Sequence, residues 1–207
     1  MFELYIANKN YSSWSLRPWV LMKALEIPFN EHVMPFEGGN GASHDTFIRF
    51  SPSGLVPCLV DKTVEGGLAV WDSLAIVEYL AEQHAKVWPK DKIIRAWARS
   101  ATAEMHSGFS TLRDECPMNC GVRVELNGLS SKLNADVARL DALWQQGLGR
   151  FGGPFLAGRN FSAVDAFYAP VAFRVQTFNL PVSEDSLAYV ERLLALPVMQ
   201  EWYQAAL

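Results

Sequence analysis

The feature that most constrains the fold is a proline inside an apolar, strand-like run. Leu55 to Val60 reads Leu-Val-Pro-Cys-Leu-Val, and residues of this kind are enriched in β-strands. Pro57 has no backbone N–H, so the run belongs at the edge of a sheet or contains a cis peptide bond. A Ser-Pro-Ser-Gly turn at Ser51 to Gly54 reverses the chain before it. The sequence therefore predicts an edge strand whose backbone at Val56 is free to pair with an extended peptide.

A second strand and a helix follow directly. After a Glu-Gly-Gly turn, Leu68 to Trp71 is predicted to form a hairpin with the first strand. Asp72 and Ser73 then precede apolar residues at helical spacing, so they occupy the cap and first turn of a helix. Such a helix end presents backbone N–H groups, a hydroxyl and a carboxylate. Asp72 suits an ammonium group, whereas Ser73 suits a carboxylate through its hydroxyl and backbone N–H.

This order of signals resembles the glutathione-binding half of the glutathione transferase family. For this chain the resemblance implies a cis bond before Pro57 and pairing of the Val56 backbone with the cysteinyl part of glutathione. It also implies that Asp72 and Ser73 bind the γ-glutamyl group. The two signals at this spacing, between a hairpin and a helix, are fairly specific. An ordinary edge strand followed by a capped helix is the alternative.

A glycine-rich loop and a short helical piece lie between the second strand and the Ser-Pro-Ser-Gly turn. In the family this region often supplies a cation for the glycine carboxylate of glutathione, and His44 and Arg49 are the candidates here. Neither residue belongs to a fixed motif. A solvated surface charge is the competing interpretation for each side chain.

A second polar cluster stands at the start of the first helix. Phe2 to Ala7 alternates like a strand, and Ser12 and Ser13 then come just before a run of helical spacing that ends at Pro28. The N-terminus of a helix favours an anion. A thiol has a free pKa of ~8.5, and a hydroxyl donor at this place favours its thiolate form.

Residues 12–17, Ser-Ser-Trp-Ser-Leu-Arg, resemble the serine-type site of the zeta and tau classes, which in zeta enzymes reads Ser-Ser-Cys-Ser-Trp-Arg. Matched residue by residue, Ser12 takes the place of the activating serine, with Ser13 next to it. Trp14 stands where the zeta class has cysteine. Capping of the helix is the alternative role for either serine, and Tyr11 is a tyrosine-type alternative for activating the thiol.

The chain in order predicts two domains. Residues 1–83 form an α/β thioredoxin-like domain of βαβαββα order, in which the first two strands are parallel. A polar, proline-containing linker at 84–91 leads to an all-helical domain over 92–207. The first helix of that domain is predicted to continue until just before Pro117 and to pair with a helix over Ser130 to Leu148.

The resemblance also places the pocket for the electrophilic substrate. In the family the upper part of the first helix of the second domain faces the cleft, which assigns Met105, Phe109 and Arg113 to the pocket together with Trp14. Alternatively, the apolar residues belong to the ordinary hydrophobic core, and Arg113 forms an ion pair at the surface. His106 is interpreted as a structural histidine and not as a base.

A Ser-x-x-Asp box precedes another helical run. Ser162 and Asp165 have the spacing of a capping box with Asp in the Glu position. This resembles the box that starts the central buried helix of the family's second domain. Because such a box satisfies helix-end donors, we expect it to matter for stability and not for chemistry.

Composition excludes several classes of function. The 207 residues are half apolar and carry a net charge of −4, with no basic stripe for nucleic acid. No apolar run approaches the ~20 residues of a membrane span. Three cysteines and no secretory signal predict a reduced, cytoplasmic compartment, and the Cys116 and Cys120 spacing has no second pair that would predict a metal site. The family resemblance implies a homodimer.

The leading prediction is a glutathione transferase, with glutathione as co-substrate and small hydrophobic electrophiles as the other substrates. In the first alternative, a zeta-like cis-trans isomerase of the maleylacetoacetate type, the thiol adds reversibly to a double bond. A peroxidase or disulfide-exchange activity requires a cysteine near the start of the first helix, where the chain has none. A transferase-like binding module without catalysis is the last alternative, and the fold alone does not separate these functions.

Overall fold

The computed structural model describes residues 1–38 and 42–207. The first part of the chain contains β1 (Phe2–Ile6), α1 (Ser13–Ala24), β2 (Phe29–Val33), α2 (Ala42–Phe47), β3 (Cys58–Asp61), β4 (Leu68–Trp71) and α3 (Ser73–Gln83). This is the predicted βαβαββα order, so the α/β class of this part is confirmed. The loop predicted between β2 and α2 includes residues 39–41, which lie outside the described residues.

The four strands form one mixed sheet in the order β2-β1-β3-β4. β1 is parallel to β2, with Phe2 opposite Phe29, and β3 is antiparallel to both β1 and β4. The prediction of an edge strand after the turn is therefore wrong, because β3 lies inside the sheet. Pro57 precedes β3 instead of interrupting it, so its missing N–H removes no hydrogen bond from the ladder.

The second part of the chain is helical throughout. It contains α4 (Lys92–Ser107), α5 (Ser110–Glu115), α6 (Ser131–Phe151), α7 (Ala163–Phe178), α8 (Glu184–Leu194) and α9 (Pro197–Ala206). Hydrogen bonds from Trp97 to Gln146 and from Arg139 to Glu104 show that α4 and α6 run antiparallel, as predicted.

One long helix was predicted at the start of the helical part. This prediction is wrong in one respect, because the structure divides that segment into α4 and α5. α4 ends at Ser107, and Phe109 has a left-handed φ of +54° before α5 begins. Arg113 Nη1 donates to the carbonyl of Met105 at 2.9 Å and so satisfies a carbonyl near the end of α4. Apolar residues keep their helical spacing across the break, which is why the sequence pattern does not reveal it.

The core runs without interruption from the sheet into the helices. α7 is its central element, since it is buried along nearly its whole length and packs against α1, α4 and α8. The predicted capping box is present at its start, where the N–H of Ser162 donates to the carboxylate of Asp165 at 3.0 Å. No helix in the described part of the chain is long and apolar enough to cross a membrane.

Candidate active site

A cleft of about 460 Å³ lies where the start of α1, the turn before β3, the end of β4 and the start of α3 meet. Its lining residues are Trp14, Ser53, Leu55, Val56, Pro57, Trp71, Asp72 and Ser73. Trp14 and the four residues of the Val-Pro and Asp-Ser signals are all among them. The structure therefore brings together two signals that are separated in the sequence by a hairpin.

The turn before β3 supplies one wall of the cleft. The peptide bond between Val56 and Pro57 is cis, as the resemblance implies. The backbone of Val56 makes no hydrogen bond to any other residue within 1–38 and 42–207. An extended peptide that enters the cleft can therefore pair with this backbone as it would with a strand.

Asp72 supplies a carboxylate to the opposite wall. It is the N-cap of α3 and has a left-handed φ of +73°. Its Oδ1 accepts hydrogen bonds from the N–H groups of Leu74 at 2.8 Å and Ala75 at 3.4 Å. Its Oδ2 lies 3.4 Å from Nε2 of His106, which projects from α4. One oxygen thus caps the helix, and the second remains able to accept from a ligand.

Ser73 lies at the floor of the cleft and is only 1% exposed. Its Oγ accepts a hydrogen bond from Nη1 of Arg17 at 3.3 Å. Because a guanidinium has no acceptor, the hydroxyl proton of Ser73 is left to donate elsewhere. The Ser73 backbone N–H is also in the first turn of α3, where amides have no intrahelical partner. These two donors suit a carboxylate.

The two serines predicted to hold the thiol lie at the start of α1. Ser12 is the N-cap residue, is 4% exposed, and donates from Oγ to Ser15 Oγ at 2.7 Å. Its side chain makes no capping hydrogen bond. Ser13 Oγ accepts from Nη2 of Arg174 at 3.3 Å. Both hydroxyls are buried and neither lines the cleft, whereas Tyr11 is exposed.

His44 and Arg49 are exposed residues on or just after α2. A Cβ added at Gly54 would lie 2.2 Å from Cδ2 of His44, so the imidazole packs against the turn ahead of the cleft. Its Nδ1 lies 3.7 Å from a carboxylate oxygen of Asp45. Neither His44 nor Arg49 lines the cleft. Their contact with the glycine carboxylate stays a prediction.

The residues predicted for the electrophile pocket divide into two groups. Trp14 lines the cleft, and Cζ of the half-buried Arg113 lies 5.5 Å from the centroid of the Trp14 ring. Met105 and Phe109 are buried in the core and do not line the cleft. Trp14 and Arg113 are therefore the members of this set that lie at or beside the cleft.

Comparison with known families shows what kind of protein carries this cleft. Residues 11–83 match the family model of the glutathione S-transferase N-terminal domain, and residues 95–205 match that of the C-terminal domain. The chain belongs to the glutathione S-transferase family. The family and the enzyme class predicted from the sequence are confirmed.

Two relatives are similar to this chain over nearly its whole length. Glutathione S-transferase GstB of Escherichia coli K12 is 26% identical over 215 residues, which span 95% of this chain and 89% of that protein. A probable maleylacetoacetate isomerase of Vibrio cholerae is 29% identical, and the match spans 97% of this chain and 95% of that protein.

Solved structures agree with the predicted architecture. A glutathione transferase homolog from Burkholderia, with bound glutathione, covers 99% of this chain and 97% of its own, with a TM-score of 0.70 and 21% identity. A theta-class glutathione S-transferase from Xanthomonas axonopodis pv. citri, also with glutathione bound, has a TM-score of 0.69 and 20% identity. The predicted combination of a thioredoxin-like part and a helical part is confirmed.

The cleft of this glutathione S-transferase also involves residues that the sequence did not single out. Ser53, Leu55 and Trp71 line it, and Trp71 is 45% exposed at the end of β4. Because these residues lie near the Val-Pro and Asp-Ser signals in the sequence, they could have been predicted to line the same cleft. His106 gave no such signal, because its contact with Asp72 joins α4 to the start of α3, two places that are far apart in the sequence. Burial lowers the pKa of His106, which favours the neutral imidazole at this contact.

Proposed function

We propose that this protein is a glutathione transferase that conjugates the thiolate of glutathione to small hydrophobic electrophiles. The observation that carries the proposal is the convergence of three complementary groups on one cleft. These groups are the Oδ2 oxygen of Asp72, the hydroxyl of Ser73 and the unpaired backbone of Val56. They match the ammonium, the carboxylate and the peptide of a γ-glutamyl dipeptide unit.

Glutathione bound in this way has its thiol directed toward the start of α1. Ser12 then holds the thiolate, for which its hydroxyl must turn from Ser15 toward the sulfur. The positive end of α1 adds to this stabilisation, and the proton of the thiol passes to solvent. The sulfur attacks the electrophilic carbon and forms a C–S bond, while the leaving group departs with its electron pair.

The remaining parts of the proposal follow the family pattern. His44 and Arg49 bind the glycine carboxylate, and Trp14 and Arg113 form the pocket for the electrophile, while Met105 and Phe109 belong to the hydrophobic core. The chain divides into a glutathione-binding domain at 1–83, a linker at 84–91 and a helical domain at 92–207. The protein acts as a cytoplasmic homodimer in which each subunit carries its own cleft.

A zeta-like isomerase is the second candidate, because two of the relatives are named probable maleylacetoacetate isomerases. Trp14 in place of the zeta cysteine counts against it. Activities based on a protein thiol are not supported, since all three cysteines are buried. Burial raises the pKa of Cys58 and Cys116 to about 11 and that of Cys120 to about 12, which disfavours a reactive thiolate.

Calorimetric titration with glutathione, followed by ultraviolet absorbance titration of the bound thiol, tests the proposed function. We expect binding together with a thiol pKa clearly below that of free glutathione. Binding without a depressed thiol pKa would instead identify a non-catalytic binding module. No binding would contradict the proposal, and turnover of a cis-trans substrate without conjugation would identify the isomerase.

Substitution of Ser12→Ala is expected to lower turnover by about 10- to 100-fold while glutathione still binds. The physical reason is that a hydrogen bond to a charged group contributes roughly 1.5–3 kcal/mol, and this one is made to the thiolate. Steady-state kinetics measures the loss of turnover, and calorimetry on the same protein measures whether glutathione still binds. Ser13→Ala is the comparison. If S12A turns over normally, the thiol donor is Ser13 or Tyr11 instead, and S13A decides between them.

A further inference from the structure

Arg113 is a half-buried cation beside the wall of the cleft that Trp14 forms. It projects from α5, and its Cζ lies 5.5 Å from the centroid of the Trp14 ring, which lines the cleft. Its Nη1 donates to the carbonyl of Met105 at 2.9 Å, whereas Nε and Nη2 make no hydrogen bond to any residue within 1–38 and 42–207. One edge of the planar guanidinium is therefore left to bind a ligand.

Two other arginines of the chain show what this edge binds. Arg99 donates from Nε and Nη2 to the two carboxylate oxygens of Glu78, at 3.2 Å and 2.9 Å. Arg139 holds the carboxylate of Glu104 in the same way, at 2.6 Å and 2.7 Å. A planar guanidinium and a carboxylate match each other in this two-bond arrangement. The same edge of Arg113 is complementary to a carboxylate that no described residue supplies.

The acidic side chains nearest to Arg113 are placed elsewhere. Burial lowers the pKa of Arg113, and the charges of Asp114 and Asp136 oppose this shift. Among the described residues neither carboxylate forms an ion pair with Arg113. Oδ2 of Asp136 instead accepts from the N–H of Leu112 at 3.0 Å, and Asp114 is exposed. The surface ion pair, which was the alternative for Arg113, is therefore absent from the described part of the chain.

The charges around Trp14 favour an anion on this side of the cleft. Burial lowers the pKa of Arg17 to about 9 and that of Arg174 to about 10, and the charge of Arg113 adds to both shifts. Three like charges thus act on one another here. Asp72 is the acidic residue in the lining of the cleft, and the proposed function assigns its Oδ2 to the ammonium of glutathione. A negatively charged electrophile is attracted by the remaining excess of positive charge.

We propose that the electrophile conjugated by this protein carries a carboxylate group and that Arg113 is the residue that selects it. The carboxylate binds the Nε and Nη2 edge of Arg113, while the apolar part of the electrophile lies against Trp14. This inference rests on the proposed function, because it names the class of electrophile that the same site takes. Arg113 is thus a specificity-determining residue.

Two substrates that differ by one methyl group and one charge test the proposal. 4-Chloro-3,5-dinitrobenzoate is an anion, and its methyl ester is the neutral counterpart with the same reacting carbon. In each, the thiolate of glutathione attacks the carbon that bears chlorine, a C–S bond forms, and chloride leaves with its electron pair. Each kcat/KM is divided by the rate constant of the uncatalysed reaction with glutathione, which removes the difference in intrinsic reactivity. We expect the wild type to prefer the anion by about tenfold or more.

Substitution of Arg113→Met should remove most of this preference. The loss should fall mainly on KM for the anion, because the contact is made both before and during the reaction. Arg113→Lys keeps the charge without the planar edge and should retain part of the preference. Arg192→Met is the matched control, since Arg192 on α8 is also half-buried and donates from Nη1 to a carbonyl, that of Pro154 at 2.8 Å. It does not line the cleft, so R192M should keep the preference of the wild type.

The possible results separate the substrate class from the proposed function. If the wild type conjugates neither compound, the transferase function fails and the substrate class fails with it. If the wild type conjugates the ester as well as the anion or better, the transferase function stands and the carboxylate preference is overturned. If R113M keeps the full preference, the role of Arg113 is overturned. Both compounds are measured on the same sample of each variant, so partial unfolding cancels in the ratio, and R113K decides if R113M does not fold.

Discussion

Replacement of Asp165 by alanine is expected to lower the free energy of unfolding by about 3–5 kcal/mol. The carboxylate is fully buried and accepts four hydrogen bonds. They come from the Leu156 N–H at 3.0 Å, the Ser162 N–H at 3.0 Å, the Tyr189 hydroxyl at 3.0 Å and the Ser162 hydroxyl at 3.3 Å. Each buried donor left without a partner costs roughly 1–3 kcal/mol, and local relaxation recovers part of the sum.

Urea unfolding of Asp165→Ala measures this loss directly. Asp165→Asn is the graded variant, because its amide keeps one acceptor oxygen but turns a donor toward the remaining donors. Asp185→Ala, in the exposed first turn of α8, is the surface control and should change stability by no more than about 0.5 kcal/mol. We expect the folded fraction of D165A to keep its turnover per molecule. Wild-type stability in D165A would show that the capping box is dispensable.

The same carboxyl predicts a pH dependence with a definite sign. Burial raises the pKa of Asp165 to about 6 from its ordinary value of 3.8, so the folded protein holds this proton more tightly than the unfolded chain. Its stabilising contribution is thus complete below the unfolded pKa and is lost as pH rises through about 6. The stability difference between wild type and D165A should grow by about 1.4 kcal/mol between about pH 7.5 and pH 5. A difference that shrinks on acidification would contradict this direction.

Substitution of Asp72→Asn is expected to weaken glutathione binding by about 10- to 100-fold with little loss of stability. Asparagine is as good an N-cap as aspartate, so the hydrogen bonds to Leu74 and Ala75 survive. The negative charge that receives the ammonium of the ligand is lost, and a charge-assisted hydrogen bond contributes roughly 1.5–3 kcal/mol. Calorimetric titration with glutathione measures the change.

The chain contains a closely matched control for this substitution. Asp91 is the N-cap of α4, and its Oδ1 accepts from the N–H groups of Ile93 and Ile94 at 2.8 Å and 3.0 Å. It does not line the glutathione cleft. Asp91→Asn should therefore match D72N in stability and bind glutathione like the wild type. Equal affinity in D72N and D91N would remove Asp72 from the binding site.

The sequence by itself determined the features that depend on near neighbours in the chain. The N-cap at Asp72 and the capping box at Ser162 and Asp165 are formed by groups two or three residues apart, so residue type and spacing were sufficient. The βαβαββα order likewise followed from local periodicity and turn residues. The resemblance built on these local signals led to the correct family.

Only the tertiary structure decided features that join distant parts of the chain. These features are the interior position of β3, the break before Phe109, the contact of His106 with Asp72 and the buried charge of Arg17 behind Ser73. The spacing of apolar and polar residues along the chain is the same whether a strand lies inside a sheet or at its edge. It is also the same whether an arginine is solvated or buried. What distinguishes these cases is packing between elements, because it fixes which polar groups lose water and which partners replace it.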